Sequence, residues 1–185
     1  MLAIKKYLIQ MFLLGAWSLE SASAEDSGFW WGSSLEFFTS NGDLYNVGQV
    51  GYQWGDNWRL FAEIGYVESE IDLGVAETIL ETELVPVTLN VAYEFEWTER
   101  FSVFLGGGLG ASWIGAQVEN PFFQLEDDDV IWTGQIFGGL SYEVWDEIWV
   151  DATVRLLSLG EFEVGGETFD SSEDITVGLG IRFGF

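Results

Sequence analysis

The sequence predicts an all-β fold, an eight-stranded antiparallel up-and-down transmembrane β-barrel. Three observations carry this reading. Apolar residues recur with period two, turn signals divide the chain into eight segments, and aromatics collect near the segment ends. The final segment is the clearest. Ile175, Val177, Leu179, Ile181, Phe183 and Phe185 take the odd positions, and Thr176, Gly178, Gly180, Arg182 and Gly184 take the even ones. Segment 85–97 repeats the pattern. Val85, Val87, Leu89, Val91, Tyr93, Phe95 and Trp97 share one face; Pro86, Thr88, Asn90, Ala92, Glu94 and Glu96 share the other. A helical period would spread both sets around its circumference.

The N-terminus comes first in chain order. Residues 1–24 have the layout of a secretory signal. Lys5 and Lys6 form a basic start, Tyr7 to Trp17 is apolar apart from Gln10, and Ala22-Ser23-Ala24 offers small residues for cleavage. The apolar stretch is far shorter than the roughly 20 residues a spanning helix needs. Cleavage after Ala24 leaves residues 25–185 as the barrel domain, with no cysteine to carry a lipid. It also removes both lysines, so the remaining basic residues are Arg59, Arg100, Arg155 and Arg182.

Eight strands follow, predicted over 28–39, 44–55, 58–69, 80–97, 101–116, 130–145, 148–160 and 173–185. Gly55-Asp56-Asn57, Thr98-Glu99-Arg100 and Asp146-Glu147 are expected as tight hairpin turns. The segments 70–79, 117–129 and 161–172 are polar or acidic and are expected as longer loops, with Asn41-Gly42 in a short connection at 40–43. Tight turns at one end and long loops at the other make an up-and-down meander, with both chain ends on the tight-turn side.

Composition removes several function classes. With 31 acidic and 6 basic residues, the formal net charge is −25, and no basic patch exists to meet nucleic-acid phosphates. Cysteine and histidine are both absent, which excludes disulfides, Cys/His zinc sites and catalysis by either residue. Without histidine the usual general base is missing. No spacing singles out a carboxylate pair, so no enzymatic activity is expected. Disorder is a poor fit, because 48% of the chain is hydrophobic and 17% is aromatic.

Two features point the apolar face toward lipid. The opposite face is rich in small residues: Gly106, Gly108, Gly110 and Ser112 oppose Phe101, Val103, Leu105, Leu109 and Trp113. Small side chains suit a narrow lumen, whereas a soluble surface would carry lysine and glutamate. Second, Trp54, Trp58, Tyr93, Phe95, Trp97, Phe101, Tyr142, Trp145, Phe183 and Phe185 lie near the tight-turn end, with Tyr66, Trp113 and Trp132 near the other. Paired aromatic girdles are the mark of a barrel crossing a bilayer. Lipid leaves no partner for unpaired backbone groups, so the sheet must close.

Pointing the apolar face outward turns Glu36, Arg59, Glu63, Glu94, Glu96, Glu143, Asp151, Arg155 and Arg182 inward. An eight-stranded barrel is just wide enough for side chains to fill its interior. The arginines are therefore expected to pair with neighbouring carboxylates, as a polar network that rigidifies the lumen. A switchable gate for small ions is the functional alternative.

The layout resembles the small outer-membrane barrels of Gram-negative bacteria, the OmpA/OmpX-type, porin-like "outer membrane protein β-barrel domain" group. The resemblance rests on the signal, eight alternating strands, short turns at the terminal end and the ending Gly180-Ile181-Arg182-Phe183-Gly184-Phe185. It implies an outer-membrane location amid lipid and lipopolysaccharide. It also implies that Phe183 and Phe185 form the signal read by the barrel-assembly machinery. The chain ends at the barrel, so no cell-wall anchoring domain is expected.

Three acidic clusters mark the loop side: Glu68, Glu70 and Asp72; Glu126-Asp127-Asp128-Asp129; and Glu161, Glu163, Glu167 and Asp170. A solvated loop face is the first reading, and oxygen ligands for Ca²⁺ or Mg²⁺ at Glu126–Asp129 the second. No cofactor is otherwise expected. Asn120-Pro121-Phe122-Phe123 is an apolar patch for a partner or for the barrel rim. The leading expectation is a monomeric structural or surface-interaction protein presenting acidic loops to an unidentified partner. A small conduit for ions or solutes, and a soluble lipocalin-like binder of an apolar ligand, are the alternatives.

Overall fold

The computed structural model describes residues 27–55, 57–72, 79–120, 123–164 and 167–185. The proposed signal, residues 1–24, lies outside them, as do Asp56, Pro121 and Phe122. Among the described residues there are ten strands: β1 (Ser27–Phe38), β2 (Leu44–Trp54), β3 (Trp58–Asp72), β4 (Ile79–Thr98), β5 (Phe101–Asn120), β6 (Phe123–Trp145), β7 (Ile148–Leu159), β8 (Phe162–Val164), β9 (Glu167–Phe169) and β10 (Ser172–Gly184). Eight of them close into an antiparallel barrel in the order β1-β10-β7-β6-β5-β4-β3-β2, and β8 and β9 form a separate hairpin. Closure runs from Trp30↔Gly184 to Phe38↔Thr176, with Phe185 N–H donating to the Phe29 carbonyl at 2.9 Å.

Connections at the tight-turn end are short because their chemistry permits it. Gly55 takes a positive φ of 56° at the β2–β3 turn, and Glu147 does so at 66° in the two-residue β6–β7 turn. At the far end the strands run longer than composition suggests. The acidic run Glu126–Asp129 belongs to β6, and it continues the β5 ladder through Gln117↔Glu126 and Ile114↔Asp129. The loop expected over 117–129 is therefore a strand hairpin, because register with β5 outweighs the polar composition. The loop expected over 161–172 contains β8 and β9.

One interruption has a local cause. Pairing between β3 and β4 skips from Ile64↔Val87 to Val67↔Leu84. Pro86 lies in that gap and has no N–H to give to a ladder. Gly65 lies opposite, and its missing side chain leaves the space that the Tyr45 ring fills.

The apolar face is outside. Leu89 and Leu109 pair directly across β4 and β5 and are 61% and 72% exposed. Val130, Ile136, Leu179 and Val154 are likewise exposed. A soluble barrel holding an apolar ligand would bury this face, so the lipocalin-like reading is overturned.

Candidate functional site

The chemistry-bearing side chains gather in the lumen, because strand alternation sends Arg59, Phe61, Glu63 and Val67 of β3 inward on one parity. The same rule on the other strands stacks the interior in layers along the axis.

Nearest the tight-turn end lies a polar layer. Arg182 Nε meets Asp151 Oδ2 at 3.3 Å, and its Nη2 meets Glu94 Oε1 at 3.4 Å and donates to Ser141 Oγ at 2.9 Å. Arg59 Nε lies 3.3 Å from Glu94 Oε2, an ion pair without hydrogen-bond geometry. Ser102 donates to Glu94, and Ser141 donates to Asp151 at 2.5 Å. Two guanidiniums thus face two carboxylates, which removes the cost of an isolated buried charge.

Aromatic rings form the next layer. Trp30, Phe61, Ala92, Phe104 and Phe137 cluster across the lumen. Phe61 packs edge-on to Phe137 at 5.7 Å, and the Arg59 guanidinium sits 4.8 Å from the Phe104 centroid.

Above it, Arg155 is the hub of a second polar layer. Its Nε and Nη2 donate to the two oxygens of Glu36 at 3.1 and 2.9 Å, a bidentate fork. Its Nη1 also donates to Glu63 and, at 2.5 Å, to Gln135 Oε1. Gln135 in turn donates to Glu63 at 3.0 Å, Thr88 at 3.1 Å and Asn90 at 2.6 Å. Gln49 donates to Glu63 at 2.7 Å, while Thr176 and Ser34 donate to Glu36 at 2.5 and 3.1 Å. One arginine thereby ties β7 to β1, β3 and β6 across the interior. Arg155 and Glu36 are 1% and 0% exposed. An apolar layer of Phe38, Tyr45, Val47, Val67 and Leu157 covers the network on the far side.

Of the nine residues expected inside, seven enter these two networks: Glu36, Arg59, Glu63, Glu94, Asp151, Arg155 and Arg182. Glu96 and Glu143 do not sit among them. Both line the open mouth at the tight-turn end, with Glu96 exposed and Glu143 half-buried. The sequence reading missed the inward rings of Trp30, Tyr45, Phe61, Phe104 and Phe137, and the amide of Gln135. Strand parity was the available signal for some of them: Trp30 shares the parity of Glu36, Phe61 that of Arg59, and Gln135 and Phe137 that of Glu143, whereas β2 carries no charge and β5 none of the parity of Phe104.

Comparison with known proteins decides the family. A model described as "Outer membrane protein beta-barrel domain" matches residues 11–183. The chain belongs to this family. It is an outer-membrane β-barrel protein of Gram-negative type, set in lipid, and its outward apolar belt is what meets that lipid.

Solved structures support the fold. Neisserial surface protein A shares 17% identity, with 90% of this chain and 100% of that chain covered and a TM-score of 0.60. The N-terminal barrel domain of Pseudomonas aeruginosa OprF shares 16%, covering 88% and 100%, at 0.56. A major outer membrane protein from Thermus thermophilus shares 13%, covering 87% and 100%, at 0.62. No curated protein sequence matches the chain.

Within the family's architecture, the aromatics at the tight-turn end form an outward belt. Trp54 stacks on Trp58 at 6.1 Å, Trp58 meets Tyr93 edge-on at 5.0 Å, and Trp97 packs with Phe101 at 5.9 Å. Tyr142 and Trp145 are exposed on β6. Phe183 stacks on Trp31 at 4.6 Å, and Phe185 hydrogen-bonds to β1, so both terminal phenylalanines lie at the closing seam.

Among the described residues no group of three or more acidic side chains converges. Asp128 is exposed, and Asp129 accepts a hydrogen bond from the Val130 N–H at 2.7 Å. Consecutive strand residues point to opposite faces, which separates these two. Glu68 accepts from Tyr66 at 3.0 Å. Glu161 and Asp170 are exposed. The side chains of Glu70, Asp72, Glu126, Asp127, Glu163, Glu167 and Phe123 lie outside what the structure describes.

Proposed function

We propose that this protein is a closed, non-conducting barrel with a structural and surface-presenting role, and that it catalyses no reaction. The filled lumen supports this most. The aromatic layer and the Arg155 network lie in series, and both are crossed by direct side-chain contacts between opposite walls. A conduit would need both to part.

On this reading the tight turns face the periplasm and the long hairpins face outward, following the usual orientation of such barrels. The outward segments carry Glu68, Asp128, Asp129, Glu161 and Asp170. They present an acidic surface to a partner, and Ca²⁺ or Mg²⁺ would bridge it to lipopolysaccharide phosphates. Residues 1–24 are removed before insertion, the assembly machinery reads Phe183 and Phe185, and the folded unit is a monomer.

Two experiments test the proposal. An epitope placed between residues 165 and 166 is expected to label on intact cells, whereas one between 99 and 100 labels only after permeabilisation. Proteoliposomes are expected to retain small sugars as well as empty vesicles do. Labelling of both epitopes on intact cells, or rapid sugar release, would overturn it.

A further inference from the structure

The short turn between β1 and β2 holds an asparagine–glycine pair with a chemistry of its own. Asn41 and Gly42 are both exposed. Gly42 takes a positive φ of 81°, and no atom lies within 4 Å of where its Cβ would stand. A nitrogen on a residue without Cβ is open to close approach.

The Asn41 side chain is folded back along the chain. Its Oδ1 accepts the Asp43 N–H at 3.0 Å, and its Nδ2 donates to Asp43 Oδ2 at 2.6 Å. To reach Asp43, the amide must pass alongside Gly42, the residue between them. The Asp43 N–H is also aimed at the oxygen on which negative charge develops when the amide carbon is attacked. The Gly42 N–H donates to the Phe38 carbonyl at 2.9 Å, and the nitrogen leaves that bond before it reacts.

We propose that Asn41 is a self-modification site that converts, through a cyclic imide with Gly42, to aspartyl and isoaspartyl residues. The Gly42 nitrogen bonds to Asn41 Cγ, the Cγ–Nδ2 bond breaks, and ammonia leaves with the Gly42 proton. Water then opens the imide at either carbonyl. One water is consumed and one ammonia released. In the product a carboxylate faces Asp43 where Nδ2 donated to it, so attraction becomes repulsion across the turn.

The other asparagines lack this arrangement. Asn46, Asn57 and Asn90 precede the bulky Val47, Trp58 and Val91, and Asn120 precedes Pro121, which has no N–H. Asn46 and Asn90 are also held in strands, and Asn57 Nδ2 donates to the Glu94 carbonyl at 2.8 Å.

The test is incubation of the folded mature barrel in nanodiscs at mildly alkaline pH. Peptide mass spectrometry follows each asparagine against an unincubated sample, and enzymatic methylation reports isoaspartyl. Asn41 is expected to convert with time, with isoaspartyl among its products, while Asn46, Asn57, Asn90 and Asn120 remain amides. Gly42→Ala should slow conversion about tenfold or more, because its Cβ crowds the attacking nitrogen. A heat-modifiable band on a denaturing gel confirms that this variant is folded. Conversion of Asn41 no faster than that of Asn46 overturns the proposal. So does an equal rate in the folded Gly42→Ala barrel, or a product that contains no isoaspartyl.

Discussion

Arg155 on β7 and Glu36 on β1 meet across the lumen through two parallel hydrogen bonds of 2.9 and 3.1 Å, both side chains being fully enclosed. They are joined by Glu63, so one guanidinium answers two carboxylates at the waist of the barrel. Removing one member of such a group strands the others. Arg155→Met is therefore expected to cost about 3–5 kcal/mol, the range for breaking a buried pair. Urea unfolding in lipid vesicles measures it. Adding Glu36→Leu and Glu63→Gln to Arg155→Met should recover part of the loss, because no carboxylate is then left unpaired.

Tyr45 and Gly65 form a second pair. The Tyr45 ring occupies the space where a Gly65 side chain would stand, and its hydroxyl has no hydrogen-bond partner among the described residues. Tyr45→Phe is expected to be neutral or stabilising by about 1 kcal/mol, since it removes a buried unsatisfied group. Gly65→Ala should destabilise by about 1–3 kcal/mol through overpacking. The two effects should couple, with Gly65→Ala costing less beside Tyr45→Leu. Additive effects would contradict the contact.

The lipid-facing belt gives a third expectation. Leu109 stands opposite Leu89 in the middle of the β4–β5 ladder, outward and exposed. Leu109→Arg is expected to cost about 2–4 kcal/mol, the midplane value for a cation on the lipid face of a barrel. Leu109→Phe should cost little. An arginine tolerated as well as phenylalanine would contradict a lipid-facing Leu109.

At the seam, Phe183 lies flat on Trp31 where β10 closes onto β1. Phe183→Ala removes an aromatic pair worth about 0.5–1.5 kcal/mol beyond its area. The fraction of heat-modifiable, folded barrel should fall on refolding into vesicles, and Phe183→Tyr should restore it.

Strand parity is the legible part of this protein. In β10 every large apolar residue from Ile175 to Phe183 shares one parity, and that alone places Arg182 inside. Parity does not report depth. Glu96 and Glu143 share the inward parity, yet they fall at the mouth, beyond the level of Glu94 and Asp151, where register shifts end the regular ladder. Composition misleads in two ways. Aromatics read as lipid-facing, which passes over the interior rings of Phe61, Phe104 and Phe137. The acidic run of β6 looks like a loop, because nothing local reveals that β5 holds it in register.

The sealed lumen is the central claim, and single-channel recording in planar bilayers tests it most directly. Reconstituted parent barrel is expected to give no unitary current steps in concentrated KCl, while a Phe137→Ala/Arg155→Ala variant, opened at both layers, gives them. Regular, long-lived steps from the parent barrel itself would show that its interior is a conduit and contradict the account.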